Sequence, residues 1–158
     1  IERCHFVYTL VTCYWIYNGI WNDVINMSQR RKYALPFKGI LAIDFDHTIC
    51  LSEWPTLGCQ RANAGLVIRN LFNDGFGIVI NTCREGVALS DAIHWLNSNN
   101  IPYHYINCNF PHIINEYGAD CRKISADLYI DDKCLMGLPH WDEIYKLIHQ
   151  KEWQEKQI

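Results

Sequence analysis

Asp44 and Asp46 stand one residue apart at the end of an apolar run, in the stretch ILAIDFDHT (40–48). A second acidic pair, Asp131 and Asp132, directly follows the apolar run ADLYI. Carboxylates that lie close together repel one another unless something neutralises them. A hard divalent cation does so, and Mg²⁺ prefers oxygen ligands of this kind. The sequence therefore predicts a magnesium site, provided that the two acidic pairs meet in the fold.

Two further polar side chains accompany strand-like runs. Thr82 ends the run FGIVINT, and Lys123 lies shortly before ADLYI. A hydroxyl donor and an ammonium beside a cation would bind an anion with several oxygens, for which phosphate is the natural candidate. Arg84 follows Thr82 by two residues, and two interpretations stay open for it: contact with substrate phosphate, or a surface ion pair with Glu85.

The elements that must position these residues are visible in the apolar pattern. GILAIDF and FGIVINT are continuous apolar runs, typical of strands buried in a parallel sheet, and YHYIN is a weaker one. Helical spacing recurs in 64–72, 89–96 and 144–148, and a short helix is predicted around 112–117. Strands that alternate with helices indicate an α/β domain with a mainly parallel sheet. Ligands of such sheets bind beyond the carboxyl ends of the strands, where the acidic pairs stand.

The bulk composition excludes several classes of protein. The chain has 158 residues, which favours one domain, and its net charge of −3 gives no signature of nucleic-acid binding. Its eight cysteines are scattered singly, with no CxxC pair and no zinc-type spacing. We therefore expect reduced thiols in a cytoplasmic protein.

Residues 1–37 are interpreted as an N-terminal extension that precedes a domain of residues 38–158. The apolar, uncharged run from His5 to Trp21 leaves three interpretations open. It lies upstream of a natural start at Met27, it packs on the domain as an extra element, or it anchors the chain to a membrane. The run is shorter than the roughly 20 apolar residues that span a bilayer, so we expect no membrane attachment.

The order of these motifs resembles that of the haloacid dehalogenase (HAD) superfamily of phosphohydrolases. The resemblance covers about residues 38–150 and has four parts: DFDHT, Thr82 in INTCREG, Lys123 in CRKISAD, and YIDD. The phrases NTCREG, RKISADLYIDD and GLPHWDEIY also resemble small bacterial and phage-type members whose substrates are unknown. The resemblance implies a Rossmann-like three-layer sandwich, HAD-like, with a minimal cap or none.

The resemblance also implies catalytic roles. Asp44 would attack phosphorus and become an aspartyl-phosphate, and Asp46 would act as general acid and then as general base, in line with carboxylate chemistry. Thr82, Arg84 and Lys123 would contact the phosphoryl group. An aspartate two residues after the nucleophile is typical of the family's phosphatases, so a Mg²⁺-dependent phosphatase is predicted.

The implied metal ligands are the carboxylate of Asp44, the backbone carbonyl of Asp46 and the carboxylate of Asp131. Asp132 would lie nearby or bind through water. The cofactor prediction is therefore Mg²⁺, and the predicted partner is a phosphorylated substrate, small or large.

The gaps between motifs predict an open site. Residues 49–61 have room for a loop, and residues 108–122 have room for a loop or one short helix. Open sites of this kind take large substrates or are covered by a partner subunit. Whether the protein forms a homo-oligomer is therefore left open. An aromatic rim at the entrance and ordinary core packing are alternatives for Trp54, Pro55, Phe110, His112 and Tyr117.

Two rival functions remain. A receiver-type signalling domain also holds a phospho-aspartate with acidic residues, a threonine, a lysine and Mg²⁺. There, however, the acidic pair lies on the first strand alone, and the lysine ends a late strand. The other rival is a non-catalytic binding or scaffold protein that keeps the fold, which only an activity assay separates from an enzyme.

Overall fold

The structure, a computed structural model, describes residues 37–151 and Trp153. In that part of the chain the strands are β1 (Ile40–Asp44), β2 (Gly77–Asn81), β3 (Tyr105–Ile106) and β4 (Leu128–Ile130). The helices are α1 (Ala64–Asn73), α2 (Gly86–Ser98), α3 (Pro111–Tyr117) and α4 (Trp141–Gln150). The extension before residue 37, with the interpretations of its apolar run and of Met27, lies outside the described residues.

The strands form one parallel sheet in the order β3-β2-β1-β4. β1 is central, and its first four residues are buried because neighbouring strands flank it and both sheet faces are covered. Ile43 pairs with Ile130 of β4, and Asp44 pairs with Asn81 of β2. Asp44 and Asp131 each come one residue after the last β1–β4 pair, so the register sets them side by side.

Apolar side chains cover both faces of the sheet, as continuous apolar strands require. On one face, Leu41, Ile43, Ile78 and Ile80 share a core cluster with residues of α1, α2 and α4. On the other, Ile40, Ala42 and Val79 pack with α3 and the segments beside it. The predicted α/β class and the Rossmann-like three-layer architecture are thereby confirmed.

β3 is shorter than the strand predicted from YHYIN. The Nδ1 atom of His104 accepts a hydrogen bond from the backbone N–H of Ile78, so a side chain replaces a rung of the ladder there. At the other end, Asn107 adopts a left-handed conformation with φ 53°, which asparagine tolerates and an extended strand does not.

The connections carry no inserted domain within the described residues. Between β1 and α1 the chain forms a loop with isolated β-bridges, and between β3 and β4 its one helix is the short α3. Both features were predicted. No helix in residues 37–151 has the length and hydrophobicity to cross a bilayer. Free thiols are found at Cys50, Cys59, Cys83, Cys121 and Cys134.

Candidate active site

Three carboxylates converge beyond the carboxyl ends of β1 and β4. One oxygen each from Asp44, Asp131 and Asp132 lies within 4.8 Å of the others. All three residues are half-buried. Three of the four residues predicted as metal ligands thus meet at one sheet edge, and these oxygens are the donors that a hard divalent cation takes.

Thr48 links the two acidic strand ends. Its fully buried hydroxyl donates to an Asp44 oxygen at 3.0 Å and accepts from the backbone N–H of Asp132 at 3.0 Å. The Thr48 carbonyl accepts from the indole N–H of Trp141 at 3.1 Å, which ties α4 to the same loop. Between Asp46 and Thr48, His47 has φ 58°, a conformation that favours glycine. The Thr48 side chain therefore fixes the loop after β1 against the loop after β4.

The surroundings of Asp44 make its ionised form less favourable than that of an ordinary aspartate. Burial raises the pKa of Asp44 to about 6. The hydrogen bond from Thr48 opposes that rise, and repulsion from Asp131 and Asp132 adds to it. A bound cation would favour the ionised carboxylate, because it offsets both the lost hydration and the repulsion.

Asp46 lies outside this cluster, and its carboxylate is bound by other side chains. The Nη2 and Nε atoms of Arg84 donate to it at 2.7 Å and at 3.0–3.2 Å, and the Ser52 hydroxyl also donates to it. Partial burial works to raise the pKa of Asp46. The hydrogen bonds from Arg84 and Ser52 and the guanidinium charge outweigh burial and hold that pKa below its ordinary value.

Arg84 is fully buried, with a side-chain exposure of 0 %. Its Nη1 atom donates to the carbonyl of Pro55 at 3.0 Å, and its guanidinium carbon lies 4.9 Å from the ring centroid of Trp54. The interpretation of Arg84 as a surface ion pair with Glu85 is therefore wrong, since the side chain is buried and its carboxylate partner is Asp46. Its predicted contact with substrate phosphate stays a prediction.

Within the described residues, Thr82 and Lys123 form no hydrogen bond or ion pair with the three clustered carboxylates. The Thr82 hydroxyl, nearly buried, accepts from the backbone N–H of Arg84 at 3.2 Å. Lys123 is exposed, and its ammonium lies 5.4 Å from the ring centroid of Tyr129. Within residues 37–151, Lys123 forms no ion pair with any of the aspartates. The predicted phosphate-binding roles of Thr82 and Lys123 remain predictions.

The proposed aromatic rim divides into two groups. Trp54 is 65 % exposed and Pro55 is exposed, and both lie against Arg84. Phe110 is instead buried against the start of β2, at the opposite end of the sheet from the carboxylates, because it fills the space left by Gly77. His112 packs against Phe110. The rim interpretation is therefore wrong for Phe110.

Sequence reasoning missed Ser52, which is nearly fully buried and donates to Asp46. A serine six residues after an aspartate in a polar loop carries no pattern that singles it out. Its position became meaningful only through the fold of the loop between β1 and α1.

Comparison with solved structures identifies a relative of known fold. A conserved protein from Bacteroides thetaiotaomicron is 31% identical to this chain, with a TM-score of 0.65; the match covers 72% of this chain and 92% of that chain. The chain belongs to the same family as this protein. The relative is described as a conserved protein without an activity, so the family assignment supports the fold and transfers no function. No protein-family model matches the chain, and no curated protein does.

Proposed function

We propose that the protein is a Mg²⁺-dependent phosphohydrolase of the HAD superfamily, acting on phosphate esters through an aspartyl-phosphate. The observation that supports this most is the meeting of Asp44, Asp131 and Asp132 within 4.8 Å at the carboxyl ends of adjacent strands. This is the edge at which parallel α/β sheets bind ligands. The free thiols accord with a cytoplasmic location, which belongs to the same proposal.

The three carboxylates fit a magnesium ion by their chemistry. Each offers a hard oxygen donor, and their mutual repulsion is a cost that a divalent charge removes. In the proposed enzyme, Asp44, Asp131 and Asp132 would hold Mg²⁺ together with the backbone carbonyl of Asp46. The ion would supply charge stabilisation for the phosphoryl oxygens.

The proposed reaction has two steps. The first step starts with Asp44 ionised and Asp46 protonated: an Asp44 oxygen forms a bond to phosphorus while the ester P–O bond breaks, and Asp46 gives its proton to the departing oxygen. In the second, water attacks the phosphorus of the aspartyl-phosphate, Asp46 takes the proton of that water, and the P–O bond to Asp44 breaks. Inorganic phosphate leaves and both side chains return to their first state.

Thr82 and Lys123 have assisting roles in this proposal. Thr82 would donate a hydrogen bond to the phosphoryl group, and Lys123 would add positive charge. Lys123 is exposed and its ammonium pairs with no aspartate of the described residues, so its flexible stem can bring the charge to a phosphoryl group.

The test is hydrolysis of para-nitrophenyl phosphate and of a panel of natural phosphate esters, with Mg²⁺ and with chelator. Wild-type protein should release phosphate only with Mg²⁺, and Asp44→Asn should release none, since an amide is not a nucleophile here. Asp91→Asn, a change at an exposed aspartate of α2, is the matched control and should keep full activity. Activity that persists in Asp44→Asn would contradict the mechanism.

The two rivals give different results in the same assay. A scaffold protein would hydrolyse no ester in the panel at any Mg²⁺ concentration. A receiver-type domain would take up phosphate from a small phosphodonor and keep it on Asp44, without repeated turnover. The second carboxylate at Asp46 favours turnover, because it can activate water against the aspartyl-phosphate.

A further inference from the structure

The Asp46–Arg84 ion pair is an unusual way to hold a carboxylate that must transfer protons. Asp46 lies one residue beyond the buried Phe45, and its side chain is 25 % exposed, whereas that of Arg84 is 0 % exposed. Arg84 binds it through Nη2 and Nε, so two nitrogens of one planar group set its direction. A bidentate guanidinium contact fixes orientation in a way that a single donor does not.

Arg84 is itself anchored from several directions. Its Nη1 atom donates to the Pro55 carbonyl at 3.0 Å. Its guanidinium carbon lies 5.3 Å from the ring centroid of Phe45 and 4.9 Å from that of Trp54. A buried cation has little room to reorient, since leaving its partners would strand an unpaired charge. Asp46 is therefore held against a rigid support that also includes the loop of Trp54 and Pro55.

We propose that Arg84 is a positioning residue: it holds the Asp46 carboxylate in the orientation from which Asp46 exchanges protons with the leaving group and with water. This inference rests on the proposed function. It assigns Arg84 to Asp46 rather than to substrate phosphate, because the guanidinium is buried and its three nitrogens already donate to Asp46 and Pro55. Arg84 then acts on the reaction only through Asp46.

The test is a double-mutant cycle on kcat with para-nitrophenyl phosphate, using Asp46→Asn, Arg84→Gln and the double variant. Arg84→Gln should lower kcat by about tenfold or more, though by no more than Asp46→Asn does with the same ester, and KM should change less than about twofold. In the Asp46→Asn background, Arg84→Gln should lower kcat no further, because its target is already gone. A phosphate-binding arginine would instead raise KM and would act in both backgrounds.

Arg84→Lys keeps a positive charge beside Asp46 but loses the planar fork, so it separates positioning from charge. We expect this variant to fold and to lose at least about tenfold in kcat. It also replaces Arg84→Gln in the cycle if the glutamine variant does not fold, as checked by circular dichroism. Arg69→Lys is the matched control, since Arg69 donates to the backbone carbonyls of Asn99 and Asn100 away from the site.

Two results would overturn the positioning role: full kcat in Arg84→Lys, or an undiminished effect of the Arg84 change in the Asp46→Asn background. Wild-type protein that lacks Mg²⁺-dependent turnover would overturn the proposed function, and this inference with it. If the wild-type protein is active but the effects of the Asp46 and Arg84 changes on kcat are additive, the positioning role of Arg84 is overturned and the proposed function stands.

Discussion

At the residue scale, Asp44 and Asp46 show how differently two neighbouring carboxylates are treated. Burial and two acidic neighbours raise the pKa of Asp44, whereas hydrogen bonds from Arg84 and Ser52 lower that of Asp46 despite its partial burial. Environments that separate the pKa values of paired carboxylates are a common basis for different roles in one site. The proposed mechanism needs the reverse order, with Asp44 ionised as the nucleophile and Asp46 protonated as the general acid. A bound cation would lower the pKa of Asp44, and Asp46 would take up its proton beside Arg84.

The pKa of Asp44 leads to a prediction about pH and magnesium binding. In the metal-free folded chain this pKa is about 6, above the ordinary value of 3.8. Between pH 3.8 and about pH 6, the folded chain therefore keeps a proton on Asp44 that the unfolded chain has lost. The free energy of unfolding consequently falls as the pH rises through this range. Mg²⁺ must displace the same proton, and its Kd at pH 5 should be about tenfold higher than at pH 7.

Isothermal titration calorimetry at pH 5, 6 and 7 checks this dependence. Asp44→Asn should bind Mg²⁺ weakly and lose the part of the pH dependence that belongs to this carboxyl. A Kd for the wild-type protein that is unchanged between pH 7 and pH 5 would show that Asp44 does not ligate the ion.

A second prediction concerns the leaving group and Asp46. Asp46→Asn should lower kcat/KM for an alkyl phosphate by roughly 100-fold or more, within the usual range for general acid catalysis. The loss for para-nitrophenyl phosphate should be several-fold smaller, because a nitrophenolate needs little help from a proton. Steady-state kinetics on both esters measures the difference, and equal losses would contradict a role for Asp46 as general acid.

At the scale of elements, the site depends on the pairing of β1 with β4. The register brings Asp44 beside Asp131, and Thr48 joins the loops that follow the two strands. Trp141, at the start of α4, donates to the carbonyl of the same threonine. Two strand ends thus meet at the buried hydroxyl of Thr48, and α4 is bonded to the backbone carbonyl of the same residue.

The corresponding prediction is for Thr48→Val, which keeps the shape of the side chain and removes its hydroxyl. The backbone N–H of Asp132 would lose its acceptor and Asp44 its donor, so we expect a loss of about 1–3 kcal/mol in the free energy of unfolding. A fall in kcat of roughly tenfold should accompany it as the carboxylates lose alignment. Urea unfolding and steady-state kinetics measure the two effects.

Thr56→Val is the matched control, at an exposed threonine in the same loop. It should leave both quantities within experimental error. Equal effects of the two changes would mean that the buried hydroxyl does not organise the site.

The sequence predicted the elements well because they follow periodic burial. Four strands, their neighbouring helices and the acidic strand ends are all local patterns, and the parallel topology then brings Asp44 to Asp131. The partner of Arg84 was not predictable in this way. It depends on how the loop after β1 folds back over β2, and no periodic signal describes that loop.

At the scale of the whole molecule, magnesium should link the site to the stability of the fold. The metal-free chain holds three repelling carboxylates, and a ligand that binds only the folded state stabilises it by mass action. Mg²⁺ at about 100 times its Kd should raise Tm by roughly 5 to 10 °C in a chain of this size.

Differential scanning calorimetry with Mg²⁺ and with chelator measures this shift. Asp44→Asn should show a much smaller shift, and without Mg²⁺ it should be at least as stable as wild type because one repelling charge is gone. Asp91→Asn should match the wild-type protein in both conditions. An Mg²⁺-induced shift in Asp44→Asn as large as that of wild type would place the ion elsewhere.

The position of β4 gives the proposed ion a second, mechanical importance. In the described part of the chain, β4 is three residues long and is hydrogen-bonded to β1 alone, so it is an edge strand of the sheet. Outer strands with few rungs are the ones that fray first. A cation bound by both Asp44 and Asp131 would hold the ends of β1 and β4 together. Chelation would therefore let β4 detach more easily while the hydrogen bonds between β1 and β2 stay intact.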